Sequence, residues 1–280
     1  MWLRLELQAL SRALGEDDSG ARRCATDALL FRALRHRLHP GSDSLEASLE
    51  RNEGLAEYTG MRFAMRVTGE GAERAAKATV RFEKRKSYVR SLGYGTGPAL
   101  GLLLDRFAPG WRARVDAIPS LAGELAARLG FTPGAALEKQ ARARAAEYGY
   151  ATVVAEEDQR AAERAERTAD YRRRLVDGPV LVLRQKGVGT TFDPNTVVGF
   201  GDAGTVYPTG VFQAVWGRLE VTQGGALIAS DLSLLRVPAP DRAPGRRSGK
   251  IEGPGWTLEL APGWIVEVGP RAGDFAVKAE

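Results

Sequence analysis

Few residues in this sequence combine reactive groups with useful spacing. The segment Arg51-Asn52-Glu53-Gly54-Leu55-Ala56-Glu57-Tyr58-Thr59-Gly60 brings two carboxylates, an amide and a phenol into one stretch of helical pattern. Such carboxylates bind metal ions or move protons. The only histidines, His36 and His39, lie in Arg35-His36-Arg37-Leu38-His39. Spacing i,i+3 can bring two imidazoles to one helix face. No Glu stands between them to act as a base, however, and Arg35 and Arg37 repel a cation. They read instead as surface histidines at a helix end, where the dipole favours positive charge. With both histidines beside arginines, no Ser-His-Asp set can be read. Cys24 is the only cysteine, which excludes a disulfide within these residues and suits a buried small side chain.

The elements that must position the segment are helical. Leu3, Leu7, Leu10 and Leu14 recur at helical spacing from the first residues, and Gly15 ends that helix. No Ser, Thr, Asp or Asn caps its start, which predicts that the recorded start is internal to a longer protein or that the protein is truncated. A second helix spans 21–38 and stops at His39-Pro40-Gly41. The third starts after Ser42-Asp43-Ser44, with Asp43 and Glu46 as a capping-box variant, and runs through Glu53 to about Met65. At about 100° per residue, Leu45, Leu49, Ala56, Gly60 and Phe63 share one face of it. Asn52 falls within that face and Glu53 at its edge, so two polar groups sit on a stripe expected to pack. Buried, they need partners. Gly54 and Gly60 weaken a helix by about 1 kcal/mol each relative to Ala, which points to close approach by another element.

At these residues the chain resembles a known family. Asn52-Glu53-Gly54-Leu55-Ala56-Glu57-Tyr58 is similar to the N-E-G-φ-A segment of gluzincin zinc metallopeptidases, the group that includes alanyl aminopeptidases. The resemblance covers about residues 45–105. It implies that Glu53 is the third zinc ligand and that the substrate is a peptide. The first two ligands come from an upstream H-E-x-x-H helix, whose Glu is the base for zinc-bound water. A tyrosine in a Y-x-K-G context stabilises the oxyanion. Tyr94-Gly95-Thr96-Gly97 is similar, which makes Tyr94 the matching residue, although Thr96 replaces the Lys and the spacing from Glu53 is shorter. The chain has no H-E-x-x-H. The expectation is an incomplete or degenerate zinc peptidase, inactive by itself and not holding zinc tightly, with the missing helix encoded before Met1. The rival expectations are a non-catalytic interaction or scaffold protein and, more weakly, a nucleic-acid binder using Arg172 to Arg174 and Arg242 to Arg247.

Composition bounds these readings. The 280 residues carry a net charge of +5, with arginines spread among glutamates, so an acidic partner is permitted but not required. Heavy use of Ala, Arg and Gly matches the coding bias of a GC-rich bacterial genome. No run of about 18 apolar residues predicts a membrane span, and no signal peptide can be read. Further helices are expected at 75–90, at 100–107, over 111–129 with a break near Pro119, and over 135–175 with a bend near Gly149. Glu138/Arg142, Glu156/Arg160 and Glu163/Arg167 make that last helix an ion-paired, solvated surface. Gly93-Tyr94-Gly95-Thr96-Gly97-Pro98 reads as a tight loop leading into a packed helix, because it lacks the Lys-Ser/Thr of a phosphate loop. Trp111, Trp216, Trp256 and Trp264 read as core or sandwich-edge aromatics rather than a sugar or base platform.

After Gly178 the pattern changes to short alternating strands. Pro179-Val180-Leu181-Val182-Leu183 is one, and strands follow within 211–221, 226–237, 257–260 and 265–268. Ala261-Pro262-Gly263-Trp264 suits a type II turn. The expected architecture is α+β: a helical domain over 1–177, then a small antiparallel β barrel or sandwich over 178–280.

Overall fold

The computed structural model describes residues 1–280 apart from 86, 89, 90, 185, 186 and 188. It is an α+β protein, with a helical region followed by mainly antiparallel sheets. The chain forms two compact units, Met1–Gln159 and Arg160–Glu280. Among the described residues, no helix is long and apolar enough to cross a membrane.

The first unit is built from helices α1 (Trp2–Gly15), α2 (Asp18–Leu38), α3 (Ser42–Leu49), α4 (Leu55–Thr68), α5 (Glu73–Glu83), α6 (Leu92–Phe107), α7 (Leu121–Leu129) and α8 (Leu137–Ala145). Helix α9 (Tyr150–Arg172) starts in this unit and ends in the second. Asp17 caps α2 by accepting from the Gly20 N–H at 2.7 Å. Leu5, Leu10, Phe31, Leu34, Leu100 and Leu104 form the centre of the core, where α1 packs on α2, α5 and α6.

Several local expectations change. The expected helix over 75–90 ends at Glu83, and residues 86, 89 and 90 of it lie outside the described residues. Gly149 takes φ +76, a left-handed conformation that breaks rather than bends the helix, so α8 and α9 are separate. The supposed loop Gly93 to Pro98 is the first half of α6. Glycine allows close packing there, so the segment gains tertiary contacts that offset its weak helix propensity.

Among the described residues, the second unit holds twelve strands. They are β1 (Val180–Arg184), β2 (Gly189–Thr191), β3 (Val198–Gly199), β4 (Thr205–Tyr207), β5 (Gly210–Ala214) and β6 (Gly217–Val221), then β7 (Ala226–Ile228), β8 (Leu234–Pro238), β9 (Lys250–Gly253), β10 (Trp256–Leu260), β11 (Trp264–Val268) and β12 (Phe275–Ala279). One sheet has the order β11-β12-β1-β8-β7-β4-β3 and the other β2-β5-β6-β10-β9. The β1–β12 pair is parallel, with Leu181 opposite Phe275. Leu181 and Val237 from the first sheet share a core with Phe212, Leu219 and Leu258 from the second, which makes a sandwich. The turn at Pro262-Gly263 forms, with Gly263 at φ +82 and the Trp264 N–H bonded to the Ala261 carbonyl at 3.2 Å. It joins strands of different sheets, since β10 pairs with β6 and β9 while β11 pairs with β12. Tyr171 and Leu175 pack on Phe200, Val206 and Leu227 of the same unit.

Candidate functional site

The segment that holds Glu53 is not ordinary α-helix. Residues Glu50–Gly54 form a π-turn between α3 and α4. Such wide turns inside helices recur at functional sites. Two features of the surroundings hold it in place.

The first is a buried ionic seam. Arg32 on α2 donates to both oxygens of Glu50, at 2.5 and 3.0 Å, and to Glu6 of α1 at 2.7 Å. Arg35, one turn further along α2, donates to the other Glu6 oxygen at 2.7 Å and to Glu46 of α3. Nε2 of His36 lies 2.8 Å from the second Glu46 oxygen. From α6, the Thr96 hydroxyl donates to Glu50 at 2.6 Å. All three carboxylates and both arginines are buried. Burial by itself lowers the Arg32 pKa, but the charges of Glu50 and Glu6 outweigh it and hold the guanidinium well above its ordinary value. Paired and hydrogen-bonded, these charges are tolerated in the interior.

The second feature is a glycine crossing. A Cβ on Gly97 would lie 2.3 Å from the Gly54 Cα, and one on Gly93 would lie 2.5 Å from the Leu49 carbonyl oxygen. Gly101, one further turn along α6, lies against the Tyr58 ring. Backbone therefore meets backbone where α6 crosses the π-turn, which only glycine permits.

These two features explain why the expected packed face is wrong. Leu45 and Phe63 are each 70% exposed, and Ala56, Gly60 and Asn52 are exposed. The buried residues are Glu46, Glu50, Gly54 and Tyr58. Their spacing of four drifts round a regular α-helix, and the wider turn at Glu50–Gly54 corrects that drift. The expected capping box also fails. Glu46 is turned into the seam, and Gly41, at φ +86, precedes the helix without a side-chain cap.

Glu53 is half-buried on the π-turn, and its Oε2 is fully buried with no hydrogen-bond partner. An orphaned carboxylate oxygen costs stability and suits a cation. Tyr94 is 45% exposed on α6, the helix that packs on the π-turn, and its hydroxyl makes no hydrogen bond to the described residues. No hydrogen bond links Tyr94 with Glu53. His36 is engaged by Glu46 beside two arginines, and His39 is exposed at the end of α2. Among the described residues, no group of three or more His, Cys, Asp or Glu side chains could hold a metal ion. Glu53 thus offers a cation one orphaned carboxylate oxygen.

A cavity of about 620 Å³ lies in the same unit, with Arg51 and Asn52 of the π-turn on its wall. Sequence reasoning missed the seam and this cavity. The available signal was charge on apolar faces: Glu6 between Leu5 and Leu7, and Arg32 and Arg35 among Leu29, Phe31 and Leu34.

The arginines considered for nucleic acid are mostly occupied. Arg173 and Arg174 pair with Asp170, Arg247 pairs with Glu280, Arg246 lies 3.5 Å from Glu267, and Arg172 stacks over Phe200. No protein-family model, curated protein or solved structure matches this chain.

Proposed function

We propose that the helical unit is a gluzincin-like metallopeptidase module in which Glu53 is the third zinc ligand. Peptide hydrolysis would require an H-E-x-x-H segment supplied from outside residues 1–280. The observation that carries this reading is the orphaned Glu53 oxygen on a π-turn. Glu50, three residues earlier, is fully paired, whereas Glu53 is buried at one oxygen without a donor. An element clamped by buried salt bridges and a glycine crossing is rigid enough to present a ligand. Tyr94 is the proposed oxyanion-stabilising group of the complete form, supported by its free hydroxyl on the adjoining helix.

The test is the reading frame upstream of Met1 and the protein it encodes. The extended protein should hold one zinc ion, lost on Glu53→Ala, with helical circular dichroism retained. A frame without H-E-x-x-H, or zinc retained by the Glu53→Ala variant, overturns the proposal. A non-catalytic interaction protein is the second reading. It is favoured by Phe63 and Val67, 70% and 68% exposed at neighbouring positions on α4. It stands if the extended protein binds no zinc.

A further inference from the structure

The cavity beside the π-turn has the character of a ligand site in its own right. Its volume of about 620 Å³ lies within the range of small-molecule pockets. Leu29, Ala33, Ala47, Ala126, Phe131 and Pro133 supply most of an apolar lining. The charged groups at its wall are not equivalent. Arg32 is neutralised by Glu6 and Glu50, neither of which lines the cavity. His36 is bonded to Glu46. Asp43 is exposed in the first turn of α3, where a carboxylate favours the helix dipole.

Arg51 differs from these. Its Nη1 donates to the Ile118 carbonyl at 2.8 Å, which anchors the side chain. Among the described residues no carboxylate forms an ion pair with it. The nine-residue helix α7 also begins at this cavity, with Ser120, Ala122 and Gly123 in the wall. Ser120 satisfies the Gly123 N–H. The Leu121 and Ala122 N–H groups, in the first turn, have no intrahelical acceptor. An anchored, unpaired guanidinium and a positive helix end therefore meet an apolar chamber.

We infer that this cavity binds a small amphipathic carboxylate, with its apolar body in the chamber and its carboxylate at Arg51. The site works without zinc and does not depend on the peptidase reading. Bidentate recognition of a carboxylate by a guanidinium matches the donor geometry.

The test is calorimetric titration of the full chain with 4-phenylbutyrate and with its neutral isostere 4-phenylbutanamide. The carboxylate should bind saturably and about tenfold or more tightly than the amide. Arg51→Gln should weaken the carboxylate about tenfold and leave the amide unchanged, while Arg51→Lys should retain most of the preference. Ala47→Phe keeps Arg51 but fills the chamber, and it should abolish binding of both. Equal affinity for the two ligands, an unchanged ratio in Arg51→Gln, persistent binding in Ala47→Phe, or no saturable binding at millimolar concentration would each overturn the inference.

Discussion

Arg32 grips Glu50 with both terminal nitrogens, at 2.5 and 3.0 Å, inside the helical unit. This contact ties α2 to the π-turn that carries Glu53. Arg32→Met leaves Glu50 buried without a counter-charge, and Glu50→Gln leaves Arg32 short of one. Each should cost about 3–5 kcal/mol, read as a lower urea midpoint. Arg32→Met combined with Glu50→Leu should recover part of that loss, because neither charge is then stranded. Additive losses in the double variant would contradict this account of the pair.

The crossing of Gly97 on Gly54 makes a contrasting pair of substitutions. Gly97→Ala places a methyl 2.3 Å from the Gly54 Cα and must push α6 away, at a cost of about 1–3 kcal/mol or more. Gly60→Ala, exposed on α4 with nothing within 4 Å, should instead stabilise by about 0.5–1 kcal/mol through helix propensity. Thermal midpoints that move the same way in both variants would refute this crossing.

The seam should also register acid. Burial by itself would raise the Glu46 carboxyl, but hydrogen bonds from His36 and Arg35 and the charges of Arg35 and Arg32 outweigh it and hold it at about 2. In the unfolded chain it titrates near 4.5. Its contribution is therefore fully present above roughly pH 5 and is lost as pH falls towards 2, a change on the order of 3 kcal/mol. Glu46→Gln should destabilise at neutral pH, and the gap from the parent protein should close on acidification. Urea midpoints across that range decide it, and a gap independent of pH would count against the pairing.

In the β unit, Gly263 sits at φ +82 with nothing within 4 Å of where a Cβ would stand. Gly263→Ala should cost about 1 kcal/mol from the left-handed backbone alone. Gly263→Asn should cost less, since Asn tolerates that region. An alanine variant as stable as the parent protein would show that the turn relaxes to another form.

Local patterns in the sequence were enough for the α+β division, for most helices, and for the Pro262-Gly263 turn. Apolar periodicity, proline and glycine act over a few residues, so they are legible in one dimension. Glu53 could be singled out as a candidate from its neighbours. Its surroundings could not. The face of α3 and α4 that packs was misread because burial there follows the pairing of Glu46 and Glu50 with Arg32 and Arg35 of α2, not hydrophobicity. Gly93 and Gly97 looked like a loop because their reason for being helical lies on Gly54, some forty residues away. The cavity at Arg51 likewise draws its walls from α2, α3 and α7. A charge becomes an interior charge, and a glycine a contact, only when distant segments meet, so tertiary structure decided the packed face, the π-turn and the cavity.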